Sequence, residues 1–324
     1  MKIIYAGSPI AAKETLQILV ENQKAYGFET AGVLSNPPSA QGRHKELVNT
    51  PVAQYAIEKG IPLFTPGHLD SQAREQILPL GADLLVCFAY GHIFGPKFLE
   101  MFRMGGINLH PSLLPKYRGC TPVPAAILNR DKETGFTVQR LSLKMDEGEI
   151  LAQKKVILNQ TETADSLLHD AAVEGGKLIL ELIKNASLNG NLEKGVSQNG
   201  DSSYTVQITK EDARIDWNKS AVEIEAKVRA YYSEPCCWTT EKGQPLKIHK
   251  SKVIQNYNGE YESEPVGKVL LFDKNEGIFV KTGNGILSLL ILQKQGKKAM
   301  NYKDFMNGAR DFTGTVLGAN DGNY

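Results

Sequence analysis

The stretch Gly106-Ile107-Asn108-Leu109-His110-Pro111-Ser112-Leu113-Leu114-Pro115-Lys116-Tyr117-Arg118-Gly119-Cys120 decides how the first half of the chain is built. From Ile107 to His110 apolar and polar side chains alternate with the period of a strand, so Asn108 and His110 leave one face and Ile107 and Leu109 the other. Pro111 and Pro115 have no amide proton to give a ladder. The strand is therefore expected to stop at His110, with residues 112 to 115 running as a loop at its carboxyl end. In open α/β sheets that end is where ligands bind. A neutral imidazole exchanges protons near neutral pH, and an amide donates to an oxygen that turns negative in a transition state, so this pair suits acyl transfer. No G-x-S-x-G frames a serine nucleophile, which leaves the attacking group to a substrate.

A third candidate lies in Lys144-Met145-Asp146-Glu147-Gly148-Glu149-Ile150, an acidic loop after a strand predicted over residues 137 to 143. A carboxylate at Asp146 is expected to orient His110, fix its tautomer and raise its pKa.

Around this centre the chain reads as alternating strands and helices. Residues 2 to 6 form a first strand, Gly7-Ser8-Pro9 turns the chain, and a helix runs from 10 to 22. There is no G-x-G-x-x-G, so a dinucleotide site is not expected. Further strands are predicted at 30 to 34, 61 to 64 and 83 to 90, the last continuously apolar as in a parallel strand covered on both faces. Helices are predicted at 51 to 59, 70 to 80, 122 to 128 and 164 to 184, the last weakened by Gly175-Gly176 at about 1 kcal/mol per glycine. Residues 35 to 51, rich in Pro, Ser and Asn, read as an exposed loop without periodicity. The sum is a Rossmann-like α/β domain over residues 1 to 190.

Residues 191 to 206 collect Asn, Gly and Ser and read as a linker. From 207 to 324 the pattern changes to a short helix at 221 to 230 and strands at 245 to 252, 267 to 272, 278 to 282 and 285 to 293. Gly283-Asn284-Gly285 is a hairpin signal. Such runs predict a small OB-like β-barrel, a scaffold that often carries nucleic acid. Lys294, Lys297 and Lys298 either touch phosphate or form a solvated face, and a charge run alone does not choose between them. Trp238 is expected in the barrel core.

Composition narrows the classes further. A chain of 324 residues suggests two domains. Its net charge of +1 excludes strong nonspecific attraction to nucleic acid, so any RNA contact must come from local patches. Four cysteines without C-x-x-C spacing and scattered histidines point to free thiols and no metal. No targeting segment or membrane-length apolar run is visible, which leads one to expect a cytoplasmic protein. No large apolar patch demands a partner, and a monomer is expected.

Asn-x-His-Pro-Ser-Leu-Leu-Pro followed by the Asp146-Glu147-Gly148 loop resembles the signature of the folate-dependent formyltransferases. The similarity extends from Ile4-Tyr5-Ala6-Gly7-Ser8-Pro9 through Phe88-Ala89-Tyr90-Gly91 and Tyr117-Arg118-Gly119. It continues to Lys210-Glu211-Asp212-Ala213-Arg214-Ile215-Asp216-Trp217 and Gly296-Lys297-Lys298-Ala299-Met300, late stretches that resemble the branch acting on transfer RNA. The resemblance implies 10-formyltetrahydrofolate as formyl donor and the amino group of initiator methionyl-tRNA as acceptor. It implies Asn108, His110 and Asp146 as catalytic residues, and a folate pocket formed by Tyr90, Gly91, Ser112, Leu113, Leu114 and Pro115. Arg43, Lys297 and Lys298 are implied as transfer-RNA contacts. Departures from the family pattern stand at Pro124, Ser142, Lys144, Glu149 and Glu234. Two alternatives remain open on sequence: a formyltransferase for a small-molecule amine such as an amino-sugar nucleotide, and a noncatalytic RNA-binding module.

Overall fold

The computed structural model describes residues 1–41, 45–255 and 259–319. Contacts divide it into two units: Met1–Pro122 with Glu133–Ile157 and Ser166–Val206, and Val123–Lys132 with Leu158–Asp165 and the chain from Gln207 onward.

The first unit is a seven-stranded sheet. Its strands are β1 (Lys2–Gly7), β2 (Glu29–Leu34), β5 (Leu63–Phe64), β6 (Leu84–Phe88), β7 (Gly106–His110), β9 (Glu133–Arg140) and β10 (Ile150–Ile157), in the order β10-β9-β7-β6-β1-β2-β5. Five strands are mutually parallel, with β1 between β2 and β6 as in a doubly wound sheet. The strand predicted after residue 137 begins earlier, at Glu133, and runs antiparallel to β7. β10, which the sequence reading missed, adds a second antiparallel strand at that edge. Its exposed run of Gln153, Lys154 and Lys155 hides the alternation that marks a half-buried strand.

Alternation along the parallel strands feeds two cores. Ile3, Tyr5, Leu84, Val86, Phe88, Ile107 and Leu109 pack with α1 (Ile10–Asn22), α2 (Pro51–Lys59) and α6 (Ala164–Asn189). Ile4, Ala6, Leu85 and Cys87 pack on the other face with α3 (Ser71–Ile77), α4 (Pro96–Leu99) and the aromatic run Tyr90, Phe94, Phe98 and Phe102. The glycine pair in α6 has a packing reason that offsets its helix cost. A Cβ on Gly175 would sit 2.4 Å from the Leu109 methyls, so the glycine lets the helix close down on β7. Two small pairs complete the unit: β3 (Ser39–Gln41) with β4 (Glu46–Val48), and β8 (Arg118–Gly119) with β11 (Tyr204–Thr205). The first pair places two short antiparallel strands where the sequence predicts a patternless loop.

In the second unit α5 (Pro122–Leu128) and α7 (Ala221–Ala230) accompany an antiparallel sheet. α7 starts at Ser220 in a complete capping box with Glu223. The sheet order is β12-β13-β16-β15-β14, made of β12 (Cys237–Glu241), β13 (Gln244–Val253), β14 (Val269–Asp273), β15 (Gly277–Lys281) and β16 (Ile286–Lys294). β17 (Met300–Asn301) pairs with β16 and leads into α8 (Tyr302–Asn307). The Gly283-Asn284-Gly285 hairpin joins β15 to β16 as expected. The expected OB-like barrel is met as this antiparallel sheet. Among the described residues its end strands β12 and β14 do not pair directly. Instead Leu317 N–H donates to the Gly267 carbonyl at 2.8 Å, Val269 N–H to Thr315 at 2.8 Å, and Gly318 N–H to Thr240 at 2.9 Å. The buried indole here is Trp217, whose Nε1–H donates to Thr239 Oγ1 at 3.0 Å. Trp238, expected in the core, is only half-buried and carries the Arg214 guanidinium 5.5 Å from its ring.

Candidate active site

β7 runs between β6 and β9, with Asn108 opposite Cys87 on one side and Gln139 on the other, and His110 opposite Thr137. Ile107 and Leu109 go to the core that contains α6, so Asn108 and His110 share the opposite face, as the alternation requires. Asn108 is half-buried, and its side-chain amide makes no hydrogen bond to the described residues. His110 is only 4 % exposed.

The loop after β7 folds back on the strand it leaves. Ser112 Oγ–H donates to the Lys116 carbonyl at 2.6 Å, and Tyr117 N–H to Ser203 Oγ at 2.9 Å. Tyr117 takes a left-handed backbone with φ of 58°, and its carbonyl accepts the His110 Nε2–H at 2.8 Å. Asp146 also sits in the left-handed region, φ 55°, on the loop from β9 to β10. Gly148 is what lets that loop return tightly: a Cβ there would lie 1.8 Å from the Arg140 carbonyl oxygen. Asp146 Oδ2 accepts the Gly119 N–H at 2.9 Å and lies 3.5 Å from His110 Nδ1. Its Oδ1 accepts from Gln139 Nε2 at 2.7 Å.

His110 and Asp146 thus meet, with Asn108 on the same face of β7, but the electrostatics differ from expectation. Burial is the largest influence on His110 and pushes its pKa below the ordinary imidazole value. The Asp146 carboxylate and the Tyr117 carbonyl pull the other way, in the expected direction, and are outweighed. The tautomer is likewise set by Tyr117 and not by Asp146. A neutral ring keeps its proton on Nε2 for the close carbonyl, which turns the bare Nδ1 toward the carboxylate.

The residues expected around folate are placed less uniformly. Ser112 and Leu114 are buried, and Thr137 Oγ1–H donates to the Ser112 carbonyl at 2.6 Å. Gln153 Nε2 donates to the Leu114 carbonyl at 3.2 Å, which clips the loop onto β9 and β10. Leu113 and Pro115 are half-buried, and Leu113 fills the space that a Cβ on Gly135 would need. The Tyr90 ring stacks on Phe94 at 5.6 Å inside the core, where burial pushes its hydroxyl up to about 12. Its carbonyl accepts from Asn36 Nδ2 at 3.2 Å, while Gly91 is exposed with φ 84°. The backbone, and not the Tyr90 side chain, therefore faces outward from the end of β6. Lys297 and Lys298 are exposed in the turn between β16 and β17, whereas Lys294 pairs with Glu241 at 2.9 Å. Arg43 lies outside the described residues. The sequence reading missed Tyr117 and Gln139. A main-chain carbonyl carries no residue signal, and Gln139 reads simply as one more polar position on a strand.

Among the described residues no group of histidine, cysteine or carboxylate side chains is arranged to hold a metal ion. Nor is any helix among them long and apolar enough to cross a membrane.

A mixed α/β sheet that sets a carboxylate against an imidazole at one strand end, with an amide on the same strand face, suits a protein of the group-transfer class. The chain belongs to the formyl transferase family: residues 1–183 match its formyl transferase domain and residues 207–310 its C-terminal domain. The methionyl-tRNA formyltransferase of Treponema denticola is 40 % identical over 96 % of this chain and 98 % of its own length. That of Borrelia hermsii is 36 % identical over 98 % of this chain and 100 % of its own. Among solved structures, HypX from Aquifex aeolicus in complex with tetrahydrofolic acid shares the fold at a TM-score of 0.64 and 13 % identity. The match covers 97 % of this chain and 48 % of that longer one.

Proposed function

We propose that this chain transfers the formyl group of 10-formyltetrahydrofolate to the methionyl amino group of initiator methionyl-tRNA, the step that prepares this RNA for translation initiation. The observation that carries the reading is the His110–Asp146 pair at the end of β7, with Asn108 two residues earlier on the same face, in a chain similar to methionyl-tRNA formyltransferases over nearly its whole length. A cytoplasmic monomer, as expected from the sequence, belongs to the same reading.

The donor set fits an activated formyl amide. Folate supplies that electrophile, and the chain supplies one neutral amide donor and one proton acceptor beside it. As the methionyl amine attacks, the formyl oxygen becomes an oxyanion, and the Asn108 Nδ2–H donates to it. A donor so placed is worth about 10²- to 10³-fold in rate. His110, kept neutral by burial, accepts the amine's surplus proton at Nδ1, where the Asp146 carboxylate stabilises the imidazolium while Tyr117 holds the other nitrogen. The same proton passes to the folate nitrogen as its bond to the formyl carbon breaks, so His110 ends as it began. The exposed backbone at Gly91 and the loop Ser112 to Pro115 would hold the folate, and Arg43, Lys297 and Lys298 the RNA.

The decisive assay is formyl transfer from 10-formyltetrahydrofolate to methionylated initiator transfer RNA, run beside elongator methionyl-tRNA and free methionine. Transfer confined to the initiator species is expected. Transfer to a small amine alone would replace this reading with that of a small-molecule formyltransferase.

A further inference from the structure

The segment between residues 191 and 206, read from sequence as a linker, contributes a side chain to the site just described. Val196 exchanges both backbone hydrogen bonds with Ile150, at 2.8 and 2.9 Å, and β11 pairs with β8, so the chain between them is held at both ends. Within it the half-buried Gln198 makes polar contacts in two directions. Its Oε1 accepts from Arg118 Nε at 3.0 Å and Nη2 at 2.8 Å. Its Nε2 donates to the carbonyls of Asp146 and Gly148, each at 2.8 Å, and to Gln139 Oε1 at 3.2 Å.

These contacts impose a direction on both side-chain amides of the relay, Gln198 and Gln139. Arg118 has only donors, so it fixes the Gln198 oxygen toward itself and the NH2 group toward the Asp146 loop. That NH2 group in turn claims the Gln139 oxygen, which leaves the Gln139 NH2 group to face Asp146 Oδ1 at 2.7 Å. Reversing Gln139 would set NH2 against NH2 and carbonyl against carboxylate, and reversing Gln198 would set NH2 against the guanidinium and carbonyl against carbonyls; in a mostly buried network such clashes are not relieved by water. Gln139 is 2 % exposed. Arg118 is itself steadied by Tyr204, whose hydroxyl accepts from Nη1 at 3.0 Å and donates to Glu147 Oε1 at 2.6 Å.

We propose that Gln198 is a positioning residue for formyl transfer, acting through Gln139 and the Asp146-Glu147-Gly148 backbone to aim the Asp146 carboxylate at His110. The proposal rests on formyl transfer being the reaction. Among the described residues Gln198 makes its hydrogen bonds to Arg118, Gln139 and the Asp146 loop and none to His110 or Asn108, so its effect should appear in the proton-transfer step and not in substrate binding.

The test compares Gln198→Glu with Gln139→Leu in the full-length protein. Gln198→Glu keeps the shape and the acceptor for Arg118 but puts an oxygen where three acceptors converge. It is expected to lower kcat by about tenfold or more, with KM for folate and RNA changed by less than about threefold. The acid limb of the kcat profile should move to higher pH, because added negative charge near Asp146 favours the imidazolium. Gln139→Leu cuts the same relay one step later and should move the same limb. The double variant should lose no more than about the worse single variant, as expected for residues acting as one unit. Should Gln198→Glu fail to fold, by thermal melting and far-UV circular dichroism, Gln139→Leu carries the test alone. An unshifted acid limb, or losses that multiply in the double variant, would overturn the proposal. An inactive wild-type protein would instead sink the formyl-transfer reading itself.

Discussion

In the proposed reaction the Asp146 loop would serve the chemistry and the Lys297-Lys298 turn the RNA, and the two are built in opposite ways. Asp146 is held on both oxygens, its loop is locked by Gly148 against Arg140, and its neighbour His110 is almost wholly buried. The lysine turn is fixed only through its backbone, by Lys297 N–H to the Lys294 carbonyl at 3.0 Å and by Gln293 Nε2 to the Lys297 carbonyl at 2.8 Å. Its two side chains stand in solvent. The difference suits the two proposed tasks. A proton moves productively only over a short, aligned path, so the groups around it must be pre-set. A phosphate is drawn by charge over roughly 10 Å at ordinary ionic strength, so a lysine serves it from many rotamers.

The sharpest way to break the contrast is Asp146→Asn. It keeps the shape and loses the charge that stabilises a protonated His110, and kcat should fall by about 10²- to 10⁴-fold. Urea unfolding should move far less than the rate, and a loss of stability matching the loss of rate would make Asp146 a structural residue only.

Next in size is Gly148→Ala. The new methyl would collide with the Arg140 carbonyl, so the loop must shift, at a stability cost of about 1–3 kcal/mol. Because Asp146 moves with the loop, kcat should drop as well, which thermal melting and steady-state kinetics read side by side. Full activity in a destabilised variant would show that the tight return is not what aims the carboxylate.

Burial of His110 also predicts a pH signature. Its folded pKa lies below the unfolded value, so as pH falls below about 6.5 the unfolded chain takes up a proton that the folded chain resists. Stability from this group is complete above about 6.5 and is lost as pH falls toward the folded pKa. Denaturant midpoints measured from about pH 7.5 to 5 should decline less steeply in His110→Gln than in the wild type, given the ordinary imidazole reference for the unfolded chain.

The smallest effect belongs to the turn. Replacing Lys297 and Lys298 together by alanine should raise KM for RNA severalfold and leave kcat alone. The slope of log affinity against log salt should fall by roughly one for each phosphate that the turn no longer neutralises. An unchanged slope would return both lysines to the solvated face that the sequence equally allows.

The sequence made the site's core legible because strand periodicity is local. Asn108 and His110 two apart, flanked by Ile107 and Leu109 and stopped by Pro111, needed no distant partner to be placed on one face. The helices over residues 51 to 59 and 221 to 230 were likewise legible in full, each with its own start signal at Pro51 or Ser220. What escaped was non-local. β10 shows no clear alternation, and the paired strands β3 and β4 are short, with β4 exposed throughout. Gln139 and Gln198 look like ordinary polar residues until the chain brings them together across 59 positions.

By itself, then, the sequence determined the strand that bears Asn108 and His110, the loop that bears Asp146, and the change from α/β to β-rich pattern after residue 206. Tertiary structure alone decided how those groups are charged and aimed. The pKa of His110 depends on how completely neighbours exclude water, and its tautomer on a carbonyl that Tyr117 presents only once the loop has folded back. The direction of each amide around Asp146 depends on a guanidinium 80 residues away from Gln198 in the chain. Desolvation and hydrogen-bond direction are properties of a packed neighbourhood, and no residue's identity encodes its neighbourhood.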